Sequence, residues 1–62
     1  MNNEQNKELL FDIQTVIDSL KDTKALIMHN ASKNATIEYL SVDANLLKHI
    51  IICLQDGGYD ND

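Results

Sequence analysis

Three residues near the C-terminal end of the sequence have side chains that could bind a metal ion. His49 and Cys53 are four residues apart, and Asp56 follows three residues later. On a helix this spacing places a nitrogen, a sulfur and an oxygen ligand on one side. The paired Cys or His spacing of structural zinc sites is missing, however, and Cys53 lies in a strongly apolar run. We therefore expect Cys53 to be a small buried apolar residue in a chain without metal or cofactor; a metal bound by His49 and Cys53 is the alternative.

Cys53 could also serve as a nucleophile, with His49 or His29 as its base. Nucleophilic catalysis by cysteine needs a positioned base, an oxyanion donor and a concave pocket. A chain of 62 residues offers little room for such a pocket. Its two glycines, Gly57 and Gly58, are adjacent and near the C-terminal end, so the sequence has no glycine-rich loop that could cradle a phosphate. We expect no enzymatic activity.

The charged residues and the single cysteine restrict the partners and the compartment. Ten acidic residues and five lysines give a net charge of −5, and there is no arginine. Without the guanidinium fork that recognises phosphate and guanine, direct binding to nucleic acid is not expected. A lone cysteine cannot form an intramolecular disulfide, which favours a reducing compartment. With no long apolar run and no signal-peptide profile, the sequence predicts a cytoplasmic protein that does not contact membranes.

The first half of the sequence has the periodicity of an amphipathic helix. Apolar residues recur at steps of three and four from Leu9 to Leu20, and acidic residues from Glu4 to Asp22 occupy the opposite arc. No glycine or proline interrupts this segment. The sequence therefore predicts one helix over about residues 4–29, with Asn2 or Asn3 as its N-cap.

The second half predicts another helix, joined to the first by a turn. The polar segment 30–34 is typical of a turn, because short Asn and Ser side chains bond to the local backbone. A helix is then predicted over about residues 35–56, with Asn34 as N-cap and the two glycines as the stop. The tail, residues 57–62, is expected to fray. The apolar residues of this helix alternate at steps of three and four: Ile37, Leu40, Ala44, Leu47, Ile51 and Leu54.

Asp43 leaves a second interpretation of this helix open. On a continuous helix its carboxylate projects into the apolar arc, where a charge is costly unless it is paired or half exposed. If the helix instead kinks or restarts at residues 41–43, Ser41 or Asp43 becomes a cap. Residues 36–42 would then form a short separate helix or, being rich in β-branched and aromatic residues, a strand.

The apolar surface of the second helix is wider than one neighbouring helix can cover. Tyr39, Leu46, Ile50 and Cys53 add an adjoining apolar face, so that about 200° of the circumference is apolar. A short chain also buries little core by itself. We therefore predict an all-α antiparallel helical hairpin that pairs into a homodimeric four-helix bundle. The predicted dimer core consists of Leu40, Leu46, Leu47, Ile50, Ile51 and Leu54.

The acidic arc of the first helix is the candidate surface for a further partner. An acidic arc is often only solvated, but it could also dock on the basic surface of a larger protein. Phe11 lies on this arc, where an exposed aromatic side chain could anchor a partner, and Ile52 lies on the polar arc of the second helix. The predicted partner-binding residues are Glu8, Phe11, Asp12, Asp18 and Ile52.

Together these features predict a function in binding. We expect a small acidic regulator or inhibitor that acts as a homo-oligomer by docking on a larger protein. The alternative is a structural or assembly module whose self-association is itself the function. The richness in Asn, Ile, Lys and Asp without Arg, Pro or Trp is typical of AT-rich genomes, such as those of low-GC bacteria, their phages and plasmids.

Overall fold

The computed structural model describes residues 3–59 and contains two helices. α1 spans Asn3–Met28 and α2 spans Lys33–Gln55. They pack against each other as a hairpin, and no strand occurs among the described residues, so the predicted all-α hairpin is confirmed. Residues 36–42 are helical, and α2 does not restart at residues 41–43.

α1 ends in a turn that requires a left-handed residue. Asn30 has φ 64°, a conformation that asparagine tolerates better than most residues. The N–H of Asn30 donates to the carbonyl of Ile27, and the N–H of Ala31 donates to the carbonyl of Leu26, both over 3.0 Å. These bonds satisfy carbonyls that the end of a helix leaves open. The chain thus reverses over residues 29–32, whereas the turn was predicted at residues 30–34.

The N-cap of α2 is Ser32, and the prediction of Asn34 is wrong. Ser32 has an extended backbone with ψ 159°, and its Oγ accepts a hydrogen bond of 3.1 Å from the N–H of Ala35. Asn34 already lies in the first helical turn. Of the two caps predicted for α1, Asn2 lies outside the described residues and Asn3 is already helical.

The C-terminal end of α2 is closed by the two glycines. Gly57 has φ 76°, and its N–H donates to the carbonyl of Leu54 over 3.2 Å. The N–H of Gly58 donates to the carbonyl of Cys53 over 2.6 Å. This pair of bonds is the glycine-terminated helix end that turns the chain back on itself. As a result Tyr59, which was expected to fray, packs against the hairpin and is only 5% exposed. Residues 60–62 lie outside the described residues.

The two helices meet along one seven-residue repeat, whose positions we label a to g with Val16 and Ile50 at position a. Positions a and d of both helices form the inner face of the hairpin. Between residues 9 and 53, every residue at these positions except Tyr39 is buried or half-buried. The inner face contains Leu9, Asp12, Val16, Ser19, Thr23 and Leu26 from α1, and Thr36, Tyr39, Asp43, Leu46, Ile50 and Cys53 from α2.

The apolar core is small and lies toward the open end of the hairpin. Val16, Ile50 and Tyr59 are its buried apolar residues, and the half-buried side chains of Leu9, Ile13, Leu46 and Cys53 pack against them. Closer to the turn the inner face becomes polar. The molecule is one helical layer, with principal extents of 46 × 18 × 7 Å. Both broad sides of the layer are therefore available for contacts.

Candidate functional site

One broad side of the hairpin, which we call the apolar face, consists of positions b and e of both helices. Each b or e residue directly follows an inner-face residue at position a or d. Because both helices are right-handed and run in opposite directions, the b and e side chains of the two helices point to the same broad side of the hairpin. Nine large apolar side chains at these positions are each at least 40% exposed. They are Leu10, Ile17, Leu20 and Ile27 from α1, and Ile37, Leu40, Leu47, Ile51 and Leu54 from α2.

The apolar face accounts for most of the exposed apolar residues. Fourteen large apolar side chains are exposed in the described part of the chain, and nine of them lie on this face. The accessible surface is 4912 Å², whereas a folded monomer of 7.0 kDa exposes about 4,000 Å². The difference is close to the roughly 800 Å² that each partner buries in a standard stable interface. The surplus surface is thus large enough for one stable interface.

The residues predicted to form a dimer core occupy two different faces. Leu40, Leu47, Ile51 and Leu54 lie on the apolar face and are exposed. Leu46 and Ile50 lie on the inner face, and Ile50, only 4% exposed, belongs to the core of the hairpin itself. A helical wheel shows two adjoining apolar arcs on α2 but does not say which of them contacts α1.

The choice between these arcs is explained by a polar cluster inside the hairpin. Asp43 is 4% exposed, and its Oδ2 accepts a hydrogen bond of 2.7 Å from the hydroxyl of Thr23, which is 2% exposed. The hydroxyl of Ser19 donates to the other carboxylate oxygen. These two hydroxyls lie on the inner face of α1. The carboxylate of Asp43 therefore finds hydrogen-bond donors only when the side of α2 that carries Asp43 faces α1. The more apolar arc of α2 then remains on the outside.

The opposite broad side, which we call the acidic face, consists of positions c and g. Five exposed carboxylates lie here, whereas all five lysines lie at positions b, e or f. Lys7 at the edge forms an exposed ion pair of 3.5 Å with Glu4. The negative charge of the acidic face is therefore largely unbalanced. Its described carboxylates are Glu4, Glu8, Asp18, Asp22 and Glu38.

Four of the five predicted partner-binding residues lie on the acidic face. Glu8, Phe11, Asp18 and Ile52 are exposed there, and Phe11 is 72% exposed. Asp12 lies at the border between the acidic face and the inner face and is half-buried. The structure therefore brings these residues to one side of the molecule, as partner binding through a single surface requires.

Two adjoining hollows open on the acidic face. The first lies between the helices and has a volume of about 120 Å³. Val16, Leu46 and Ile50 line it with apolar atoms, and Asp12, Thr15 and His49 complete its lining. The second, more open hollow is lined by Lys7, Glu8, Phe11 and Asp12. Asp12 lines both hollows, so the two lie side by side.

Tyr59 holds the carboxylate of Asp12 in place beside these two hollows. Its hydroxyl donates a hydrogen bond to Oδ2 of Asp12. This bond to a carboxylate is the largest cause that raises the pKa of Tyr59 to about 12, and burial and the charge of Asp12 act in the same direction. Sequence reasoning missed this contact. The signal was present in the adjacent glycines, which reverse the chain immediately before Tyr59.

The candidate metal ligands are only partly brought together. Sγ of Cys53 lies 3.6 Å from Nε2 of His49, but Cys53 is half-buried on the inner face and His49 is exposed. Asp56 forms the C-cap of α2. Within residues 3–59, no three His, Cys, Asp or Glu side chains are grouped so that they could hold a metal ion.

Neither α1 nor α2 is long and apolar enough to cross a membrane. Comparison of the chain with family models, with curated proteins and with solved structures finds no match.

Proposed function

We propose that this chain is a non-enzymatic regulator or inhibitor that dimerises through its apolar face and docks on a larger protein with its acidic face. The observation that carries the proposal is the division of exposed side chains between the two broad sides. Nine large aliphatic residues occupy one side, and unbalanced carboxylates together with Phe11, Val42 and Ile52 occupy the other. Such a division suits a molecule with two different contacts, one with itself and one with another protein.

In the proposed dimer, two hairpins pack apolar face to apolar face and form a four-helix bundle. The surplus surface of each copy supports this, since it is close to what one stable interface buries. Lys24 is the one charged residue among the b and e positions of α1, and its long aliphatic stem covers apolar surface while the ammonium group stays at the rim. Each copy offers a single apolar face, so pairing about a two-fold axis closes the assembly. A closed dimer favours a regulator over an open-ended assembly module.

Dimerisation through the apolar face leaves the two acidic faces pointing outward on opposite sides of the bundle. Each can then contact a basic surface of a larger protein. The carboxylates steer the encounter, and Phe11 supplies an aromatic anchor with enough exposed area to be buried on contact.

The proposal is tested by retrieval of partners from the native host with three forms of the chain. The wild type and the control variant Lys48→Gln, altered at an edge position, should retrieve the same protein in a fixed ratio. The variant Glu8→Gln/Phe11→Ala/Asp18→Asn should keep the helical circular dichroism signal and the dimer mass but lose that protein. Retrieval that is unaffected by this variant would overturn docking through the acidic face.

A further inference from the structure

The hollow between the helices has a shape and a polarity that match one kind of side chain. We propose that it receives a single arginine or lysine side chain of the docked partner. This inference rests on the proposed docking function and adds to it the residue type that the acidic face recognises.

The size of the hollow argues for a side chain as its occupant. At about 120 Å³ it is well below the roughly 300–1,000 Å³ of sites that enclose small molecules. It is also open on the acidic face, so a side chain that projects from a partner surface can enter it. A long side chain of a docked protein is the occupant that satisfies both conditions.

The lining of the hollow argues for an amphipathic cation. Val16, Leu46 and Ile50 present apolar atoms, against which the methylene stem of arginine or lysine can pack. Asp12 presents a carboxylate, to which the cationic end can donate a charge-assisted hydrogen bond. An aliphatic side chain would leave Oδ1 of this carboxylate without a donor in a newly dry site, and an acidic side chain would be repelled by it.

The hydrogen bonding of Asp12 leaves room for this contact. The hydroxyl of Tyr59 donates to Oδ2, and none of the side chains that the structure describes donates to Oδ1. Tyr59 is therefore a positioning residue that holds the carboxylate at the border of the hollow. Glu8, Phe11 and Lys7 line the adjoining hollow together with Asp12. This hollow therefore adds a second carboxylate and an aromatic ring, and the ammonium group of Lys7 in it is paired with Glu4.

The inference is tested by nuclear magnetic resonance with N-acetyl-arginine amide as the probe and its uncharged isostere N-acetyl-citrulline amide as the matched control. Addition of the arginine probe to ¹⁵N-labelled wild-type protein should shift the amide signals of the six lining residues in a saturable manner, and citrulline should not. Asp12→Asn should weaken the arginine affinity at least about tenfold, as expected for loss of a charge-assisted hydrogen bond. Glu38→Gln, altered on the same face two turns of α2 away from the hollow, should change it less than about twofold.

Tyr59→Phe separates a binding role of Asp12 from a structural one. This variant removes the hydrogen bond to Asp12 but keeps the carboxylate, so it should still bind the arginine probe. If it loses binding as fully as Asp12→Asn does, the effect is structural and the inference is wrong. Equal shifts with citrulline, or unsaturable shifts spread over all the carboxylates, would also overturn it. In that case docking through Glu8, Phe11 and Asp18 is still decided separately by partner retrieval.

Discussion

Thr23 of α1 and Asp43 of α2 face each other across the inner face of the hairpin, and the hydroxyl donates to the carboxylate over 2.7 Å. Ser19, one turn earlier on α1, donates to the second oxygen. A buried carboxylate with one hydroxyl donor for each oxygen fixes the register of two helices, because a shift by one turn would keep only one of the two donors within reach. This cluster therefore determines which arc of each helix is inside and which is left for other contacts.

Removal of one hydroxyl should destabilise the hairpin. Thr23→Val conserves the shape of the side chain but leaves a buried carboxylate oxygen without its donor, which should cost about 1–3 kcal/mol of unfolding free energy. Thr15→Val is a matched control, because Thr15 is exposed and its hydroxyl bonds only to the carbonyl of Phe11. Urea unfolding at one fixed protein concentration measures both. Equal stability of the two variants would contradict a structural role for the cluster.

The ionisation of Tyr59 should be shifted to high pH. In a Tyr39→Phe background, absorbance at 295 nm reports Tyr59 alone, and its midpoint should lie near the pKa of about 12. Asp12→Asn should lower that midpoint, because the hydrogen bond to the carboxylate is the main cause of the shift. A midpoint near 10 in the folded protein would show that the contact does not persist in solution.

The hydrogen bond from Tyr59 to Asp12 should make the unfolding free energy depend on pH within a defined range. The pKa is raised in the folded state, so the folded protein holds the proton more tightly than the unfolded chain. The contribution of Tyr59 is then complete below pH 10 and is lost as the pH rises from 10 through about 12. The stability difference between wild type and Tyr59→Phe should shrink over that window, which chemical denaturation at several pH values measures. A constant difference would contradict the assignment.

The proposed dimerisation through the apolar face predicts that folding is coupled to association, so the melting temperature should rise with protein concentration. Leu47→Ala removes a large side chain from the proposed dimer core and should cost roughly 2–5 kcal/mol. Ile52→Ala is the matched control: Ile52 is similarly exposed but lies on the acidic face. Calorimetry at several concentrations distinguishes the two variants. If both substitutions lower the unfolding free energy by the same small amount, the apolar face is not buried in solution.

Partner association should be steered by charge. The association rate should fall steeply as salt increases, and Glu8→Gln/Asp18→Asn should reduce the rate at low salt and flatten this dependence. Phe11→Ala should act mainly by faster dissociation, as loss of a buried anchor does. Surface plasmon resonance over a salt series measures both rates. Rates indifferent to salt and to these changes would argue against docking through the acidic face.

The sequence predicts the helices well because apolar periodicity and the two glycines are local signals. It could not predict which arc of α2 contacts α1, because the more apolar arc, which carries Leu47, is left outside and the adjoining arc, which carries Asp43 and Leu46, lies inside. That choice depends on a long-range contact, in which Asp43 accepts hydrogen bonds from hydroxyls 20 and 24 residues away in sequence. The alternative prediction that a helix restarts at Asp43 has the same origin. No residue near Asp43 in the sequence explains a carboxylate in an apolar arc.

The candidate partner surface could be predicted in part. The arc that carries Glu8, Phe11 and Asp18 follows from the helical wheel of α1 alone. The hollow beside it could not be predicted, because it needs Asp12 and Thr15 from one helix and His49 from the other in one register. The position of Tyr59 depends equally on how the two glycines redirect the chain after α2.

Sedimentation equilibrium tests the central claim, self-association through the apolar face, most directly. The wild type should have twice the mass of the chain at micromolar concentrations. Leu47→Glu, which places a charge in the apolar face, should sediment as a monomer or unfold, whereas Ile52→Glu on the acidic face should remain a dimer. A folded wild-type monomer at all concentrations, with its apolar face in water, would contradict the account.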